Sequence, residues 1–326
     1  MLRREMITLI GAAAVWPLAA RAQKQIASVA RIGYLGSGRA DVFANRVAAL
    51  RVGLRNAGYV EGRNLIVEFR WAETQDQLPE LAADLVRINV DVIFATSSTE
   101  VEAARQATTT IPIVFSAHAD PVGIGHVESL ARPGGNITGL SMLLTDLAVK
   151  ELEILKEALP HVERIGVLWN PMTPSHPPAM RAVETTGKSL GLQLVTLPAR
   201  AVDDLEGVFL TMTQESVGGF LALGSPLFQI QRVRLADQAL KHRLPSMFGQ
   251  KEIVQAGGLM SYAADLNDLT QQAGAYIGKI LHGAKPADLP VEQASKYQLV
   301  INLKTAKELG VTIPPTFLAR ADEVIE

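Results

Sequence analysis

The chain has 326 residues, 48% of them apolar and 20% charged, enough for two cores at roughly 100–200 residues per domain. Lys and Arg total 31 against 33 Asp and Glu, a formal charge of −2 with no basic run, which argues against a protein that lives on phosphate neutralisation. The absence of Cys excludes disulfide scaffolds, thiolate zinc sites, Cys nucleophiles, iron–sulfur clusters and a lipid-modified N-terminal Cys.

Arg3 and Arg4 precede an apolar stretch from Met6 to Ala20, and Ala20-Arg21-Ala22 supplies a small-x-small pattern. Residues 1–22 therefore read as a cleaved export signal, its Arg pair resembling the twin-arginine type. The stretch is too short for a ~30 Å hydrocarbon core and Pro17 interrupts it. Next, Arg31–Leu35 reads as a buried strand opening into Gly36-Ser37-Gly38, and Asp41–Asn56 as a helix ended by Gly58. Strands at Leu65–Phe69, Val90–Ala95 and Ile111–Phe115 alternate with helices at Leu78–Ile88 and Glu100–Ala107. After Asn136–Leu140 the pattern restarts. Helices at Leu147–Ala158, Ala179–Leu190, Leu205–Thr213 and Leu227–Lys241 alternate with strands at Arg164–Trp169, Leu192–Leu197, Gly219–Leu223 and Leu244–Phe248. A helix at Leu266–Leu281, a strand at Tyr297–Ile301 and a short helix at Leu303–Leu309 close the chain. Such alternation implies parallel pairing through right-handed crossovers, hence two doubly wound α/β lobes that the tail returns to complete.

In open parallel sheets, ligands bind where strand C-termini and helix N-termini face one crevice. The residues predicted to bind ligand there are Gly36, Ser37, Thr96, Ser97, Ser98, Thr99, Ala117, Asp120, Trp169, Asn170, Ser225 and Tyr262. Thr96–Glu100 carries capping-box spacing, so its hydroxyls and amides converge at a helix start and suit a carboxylate. Asp120 offers an ammonium partner, and Trp169 a ring with Asn170 an amide beside it. Tyr262 lies where the chain recrosses between lobes. Catalytic motifs fail one by one. Gly36–Asp41 and Gly123–Glu128 both lack the third Gly of a dinucleotide fingerprint, and there is no Walker loop or Gly-x-Ser-x-Gly elbow. His118, Asp120 and His126 match no metal-ligand spacing, while His161, His176, His242 and His282 read as solvated or capping residues. No catalytic residue, cofactor or metal is expected. The pattern is that of a binder.

Several stretches resemble the solute-binding proteins of ABC importers, in the type I periplasmic-binding fold that includes tryptophan-binding-like members. They are Gly58–Asn64, Pro112–Phe115, Asp120–Gly123, Leu130–Gly139, Ala256–Tyr262 and Gly283–Gln293. The resemblance covers nearly all of residues 28–326. It implies a periplasmic receptor that hands a small organic solute to ABC permease subunits in the inner membrane; the lack of Cys makes the expected product not lipid-anchored, and a monomer is expected. An amino acid or related carboxylate is the favoured solute, and nucleic acid is not a partner. The family's ligand positions match Ser98, Asp120, Trp169 and Tyr262. Lobe 1 is then expected at 28–139 plus 260–292 and lobe 2 at 140–259 plus 293–326, joined by a three-segment hinge. An exported sensor feeding a membrane signalling protein is the alternative.

Overall fold

The computed structural model describes residues 29–326; the expected export signal lies outside the described residues. Among these, no helix is long and apolar enough to cross a membrane.

The first sheet is built from β1 (Ala30–Ser37), β2 (Leu65–Ala72), β3 (Val92–Ala95), β4 (Ile113–His118) and β5 (Ile137–Ser141), with α1 (Ala44–Asn56), α2 (Leu78–Arg87) and α3 (Ser98–Ala107) between them. β3 and β4 are buried at every position, as continuous apolar runs in a sheet covered on both faces must be. The second unit holds α4 (Leu144–Ala158), β6 (Arg164–Trp169), α5 (His176–Ser189), β7 (Gln193–Pro198), α6 (Asp204–Gln214) and β8 (Gly219–Ala222). It continues through α7 (Pro226–Ile230), α8 (Arg232–Lys241), β9 (Ser246–Phe248), α9 (Lys251–Gln255) and β10 (Met260–Ala264). The chain then runs through α10 (Leu266–Leu281), β11 (Glu292–Gln293), β12 (Tyr297–Asn302), α11 (Leu303–Leu309), α12 (Pro315–Leu318) and β13 (Glu323–Ile325).

The first sheet has the order β11-β5-β4-β3-β1-β2 and is parallel throughout. The second has the order β13-β12-β10-β9-β8-β6-β7, and only its β10–β12 pairing is antiparallel. Two boundaries differ from the sequence reading. Met260–Ala264, expected in lobe 1, pairs with β9 and β12 in the second sheet, so the chain leaves that lobe at Asp265, which caps α10 by accepting from the Asn267 and Asp268 amides. At the other boundary, expected at 139, Leu140 and Ser141 still pair with β11 in the first sheet. The helix expected over Leu227–Lys241 is two, because Gln231 leaves the helical region (φ −92°, ψ 19°).

The chain thus passes between the sheets after β5, after β10 and after β11, and these passages are tied together. Ala294 N–H donates to Ser141 O at 2.8 Å and Asp265 N–H to Lys296 O at 3.1 Å. Lys296 also pairs with Asp268 at 2.6 Å. In the first passage Leu143 has a left-handed backbone, φ 50°. Packing beside the second passage is close enough to demand glycine. A Cβ on Gly53 of α1 would lie 2.0 Å from Gln271 O of α10, and one on Gly274 would lie 2.7 Å from Leu54 N.

Candidate functional site

The C-terminal ends of both sheets open on one cleft, with an empty volume of about 550 Å³ including its mouth. The first lobe lines it with Ser37 at the end of β1, Phe43 and Arg46 at the start of α1, Thr96, Ser97, Ser98 and Glu100 at the start of α3, and Ala117 and Ala119 around the end of β4. The second lobe contributes Thr173 and Ser175 before α5, Gly224, Ser225 and Pro226 at the start of α7, and Gln250 after β9. Met142 and Leu266 lie at two of the passages.

Two of these residues are charged, and both are buried: Glu100 is 0% exposed and Arg46 9%. Ser37 Oγ donates to Glu100 Oε1 at 2.5 Å, and Ser97 Oγ donates to Oε2. The Arg46 guanidinium lies over the Phe43 ring, 5.1 Å from its centroid, and its Nη2 has no partner among the described residues. Neither charge forms an ion pair among the described residues, although the fields of both reach the buried Tyr34 phenol, whose pKa burial pushes up. A buried charge with no opposite charge beside it is costly, so a ligand carrying the complementary charges would offset that penalty.

Behind Ser98 runs a chain of side chains. Ser98 Oγ lies 3.4 Å from His118 Nδ1, His118 Nε2 lies 2.8 Å from His126 Nδ1, and His126 Nε2 lies 2.6 Å from Glu102 Oε2. Burial holds His118 well below the usual histidine pKa. Burial also lowers His126, against the pull of Glu102.

The second wall is organised differently. His176, read from sequence as solvated or capping, is fully buried. Its Nδ1 accepts from Asn170 N–H at 2.9 Å, so its Nε2–H donates to Gly224 O at 3.1 Å. Burial brings its pKa to about 4, leaving it neutral. The Thr173 and Ser175 hydroxyls and Gln250 Oε1 are buried with no partner among the described residues. Glu151 of α4 reaches the back of this wall beside Gly249, both of its oxygens unpartnered among the described residues, and burial raises its pKa well above the carboxylate range.

The sequence profile of the family described as "ABC transporter substrate binding protein" matches residues 40–325. The chain belongs to this family of substrate-binding proteins. A protein of Clostridioides difficile (strain R20291) named "Tyrosine-binding protein" is 28% identical over 264 residues, 79% of this chain and 74% of that protein. A crystal structure of a conserved domain protein from Vibrio cholerae is 30% identical, with TM-score 0.86 over 91% of this chain and 100% of that one. The crystal structure of an ABC domain in complex with L-Trp from Streptococcus pneumonia is 27% identical, with TM-score 0.82 over 90% of this chain and 100% of that one. As a member of a substrate-binding family the chain is a binder and not an enzyme.

In this substrate-binding protein Ser37, Thr96, Ser97, Ser98, Ala117 and Ser225 line the cleft, whereas Gly36, Thr99, Asp120, Trp169, Asn170 and Tyr262 are not among its lining residues. Gly36 serves packing, since a Cβ there would meet Trp71 and Tyr34 side chains at 2.8 and 2.9 Å. Thr99 keeps its hydroxyl buried without a partner among the described residues. Asp120 accepts from Gly123 N–H at 2.8 Å and so closes its own turn. Trp169 packs its half-buried ring on the core. Asn170 accepts the Met172 amide at 2.9 Å, and Tyr262 stacks on Tyr297 at 5.8 Å. Sequence reasoning missed Phe43, Arg46, Glu100, Thr173, Ser175, Met142 and Leu266. Glu100 carried a signal, its capping-box place after Ser97, but that reading spends the carboxylate on the helix and not on a ligand.

Proposed function

We propose that this substrate-binding protein is the exported receptor of an ABC importer for a zwitterionic amino acid with an aromatic or branched apolar side chain. The observation that carries this reading is the pair of buried opposite charges, Arg46 and Glu100, that line one cleft without pairing with each other. Arg46 takes the α-carboxylate, for which its forked donors are suited. Glu100, held by Ser37 and Ser97, takes the α-ammonium in the role that Asp120 was expected to fill. Phe43, Met142, Leu266 and Pro226 supply the apolar surface for the side chain. The names of the tyrosine-binding relative and of the L-Trp complex support the same solute class.

Binding begins on the first lobe. Closure then brings Thr173, Ser175 and Gln250 onto the solute, expelling water and strengthening each polar contact inside. To move the lobes from mostly open to mostly closed, 1:99 to 99:1, the solute must favour the closed form by about 5.5 kcal/mol. The Arg-rich, apolar pattern of residues 1–22 supports export to the compartment where such a receptor works. Calorimetry with each of the standard amino acids tests the reading: heat is expected from Tyr, Trp, Phe or a branched residue at micromolar concentration. Silence from every amino acid would falsify it.

A further inference from the structure

We infer that the Glu102–His126–His118 chain fixes the hydrogen-bond polarity of Ser98, turning its hydroxyl into an acceptor toward the cleft, so that Ser98 recognises the ammonium end of the solute. The inference rests on the amino-acid reading above and adds positioning residues that lie behind the cleft wall.

The polarity follows from the two ends of the chain. At the outer end, His126 Nε2 lies 2.6 Å from Glu102 Oε2, and a carboxylate accepts only, so the His126 proton sits on Nε2. Neutral His126 then has a bare Nδ1, which accepts from His118 Nε2–H at 2.8 Å. Neutral His118 in turn has a bare Nδ1. The inner end agrees independently, because Asp120 N–H points at that same Nδ1 from 3.2 Å and a second proton there would face it. Reversing the chain would set N–H against N–H at Asp120 and a bare nitrogen against the carboxylate at Glu102. One tautomer of each ring therefore leaves no contact with proton facing proton or lone pair facing lone pair. Burial, which disfavours the imidazolium form of both rings, keeps the chain neutral.

Ser98 feels the result. Its Oγ accepts from Ala119 N–H at 3.0 Å, and its proton faces the bare His118 Nδ1 at 3.4 Å, sharing that nitrogen's one lone pair with Asp120 N–H. A hydroxyl has one proton and two lone pairs, so what remains for the cleft is a lone pair. Ser37 and Ser97 likewise donate inward, to Glu100. The side chains around the start of α3 thus offer acceptors, and a carboxylate placed on these hydroxyls would meet lone pairs. A primary ammonium, with three donors, fits.

The test uses the full chain with two probes, L-tyrosine and its deaminated analogue 3-(4-hydroxyphenyl)propionate. Nitrogen-15 spectra at pH 7.5 are expected to show both rings protonated on Nε2, and a proton on His118 Nδ1 would overturn the inference. The unaltered protein is expected to prefer tyrosine by about 100-fold or more, since a site built around a hydrogen-bonding group rejects the analogue lacking it. His118→Phe, which releases the Ser98 proton, should cut that preference about tenfold. His126→Gln, whose amide oxygen can still accept from His118, should retain it. An undiminished preference in a folded His118→Phe protein sinks the relay and leaves the amino-acid reading standing. Failure of the unaltered protein to prefer tyrosine over the analogue removes the ammonium assignment together with the relay. Should His118→Phe not fold, Ser98→Ala gives the same comparison, an unchanged preference again counting against the inference.

Discussion

The two walls of the cleft spend their hydrogen bonds differently. On the first lobe, Ser37, Ser97, Ser98 and Glu100 are already held by one another or by His118, and the Arg46 guanidinium rests on the Phe43 ring with its Nη2 unpartnered among the described residues. On the second, Thr173 Oγ1, Ser175 Oγ and Gln250 Oε1 have no partner among the described residues. A wall whose groups are oriented beforehand loses little freedom on binding and suits the first encounter. A wall of unsatisfied groups gains most from a solute already in place, which is what the proposed closing of the second lobe requires.

The sharpest test of this contrast is to remove the charges of the first wall. Glu100→Gln combined with Arg46→Met is expected to weaken solute binding about 1000-fold in calorimetry, because each change also strands the group it served. A loss below tenfold would place recognition elsewhere. Next in size is an acid effect seated behind the second wall. The folded pKa of His176 lies near 4, below the unfolded value of 6.5, so the unfolded chain binds the proton first and stability falls as pH drops from 6.5 to 4. Glu151, raised by burial, opposes this: it holds its proton in the folded state above pH 4.5, so its contribution falls as pH rises. Glu151→Gln should therefore steepen the acid loss seen in denaturant titrations, to about 3 kcal/mol from His176 alone. An unchanged pH slope would refute the opposition.

Gly38 then separates closure from contact. It has φ +84°, and a Cβ there would lie 2.9 Å from the Ile230 side chain of the second lobe. Gly38→Val is expected to hold the lobes apart, abolishing solute-induced compaction in small-angle scattering and weakening binding about tenfold. Compaction equal to that of the unaltered protein would show that this approach does not limit closing. The smallest effect compares two hydrogen-bonding residues. Ser175→Ala should lower affinity about fivefold, the worth of one modest hydrogen bond, whereas Asp120→Ala should leave it within about twofold because that carboxylate serves its own turn. The reverse ranking would restore Asp120 to the site.

The alternation of strand and helix was legible because buried parallel strands such as Val92–Ala95 are unbroken apolar runs between turn signals. Met260–Ala264 escaped notice as a strand because Ser261 and Tyr262 blunt its pattern and its β12 neighbour arrives from far along the chain, running the other way. In the site, Ser37, Ser97, Ser98 and Ser225 could be read because they stand where strand gives way to helix. Arg46 could not: it lies beside Val47 on a helix whose periodicity gives no hint that a guanidinium turns inward. His176 read as solvated or capping, yet the preceding loop folds it beneath Gly224. Asp120 was visible, but a carboxylate before proline reads alike whether it faces a ligand or its own turn.

The Gly53–Gly274 contact has a practical consequence. Backbone pressed on backbone makes α10 and α1 travel as a single solid body, even though α10 begins only after the second passage between the sheets. A fluorophore pair with one dye on each of these helices would stay silent whatever the solute does. Under the proposed closure, moving one dye to α5 would make the pair report the solute.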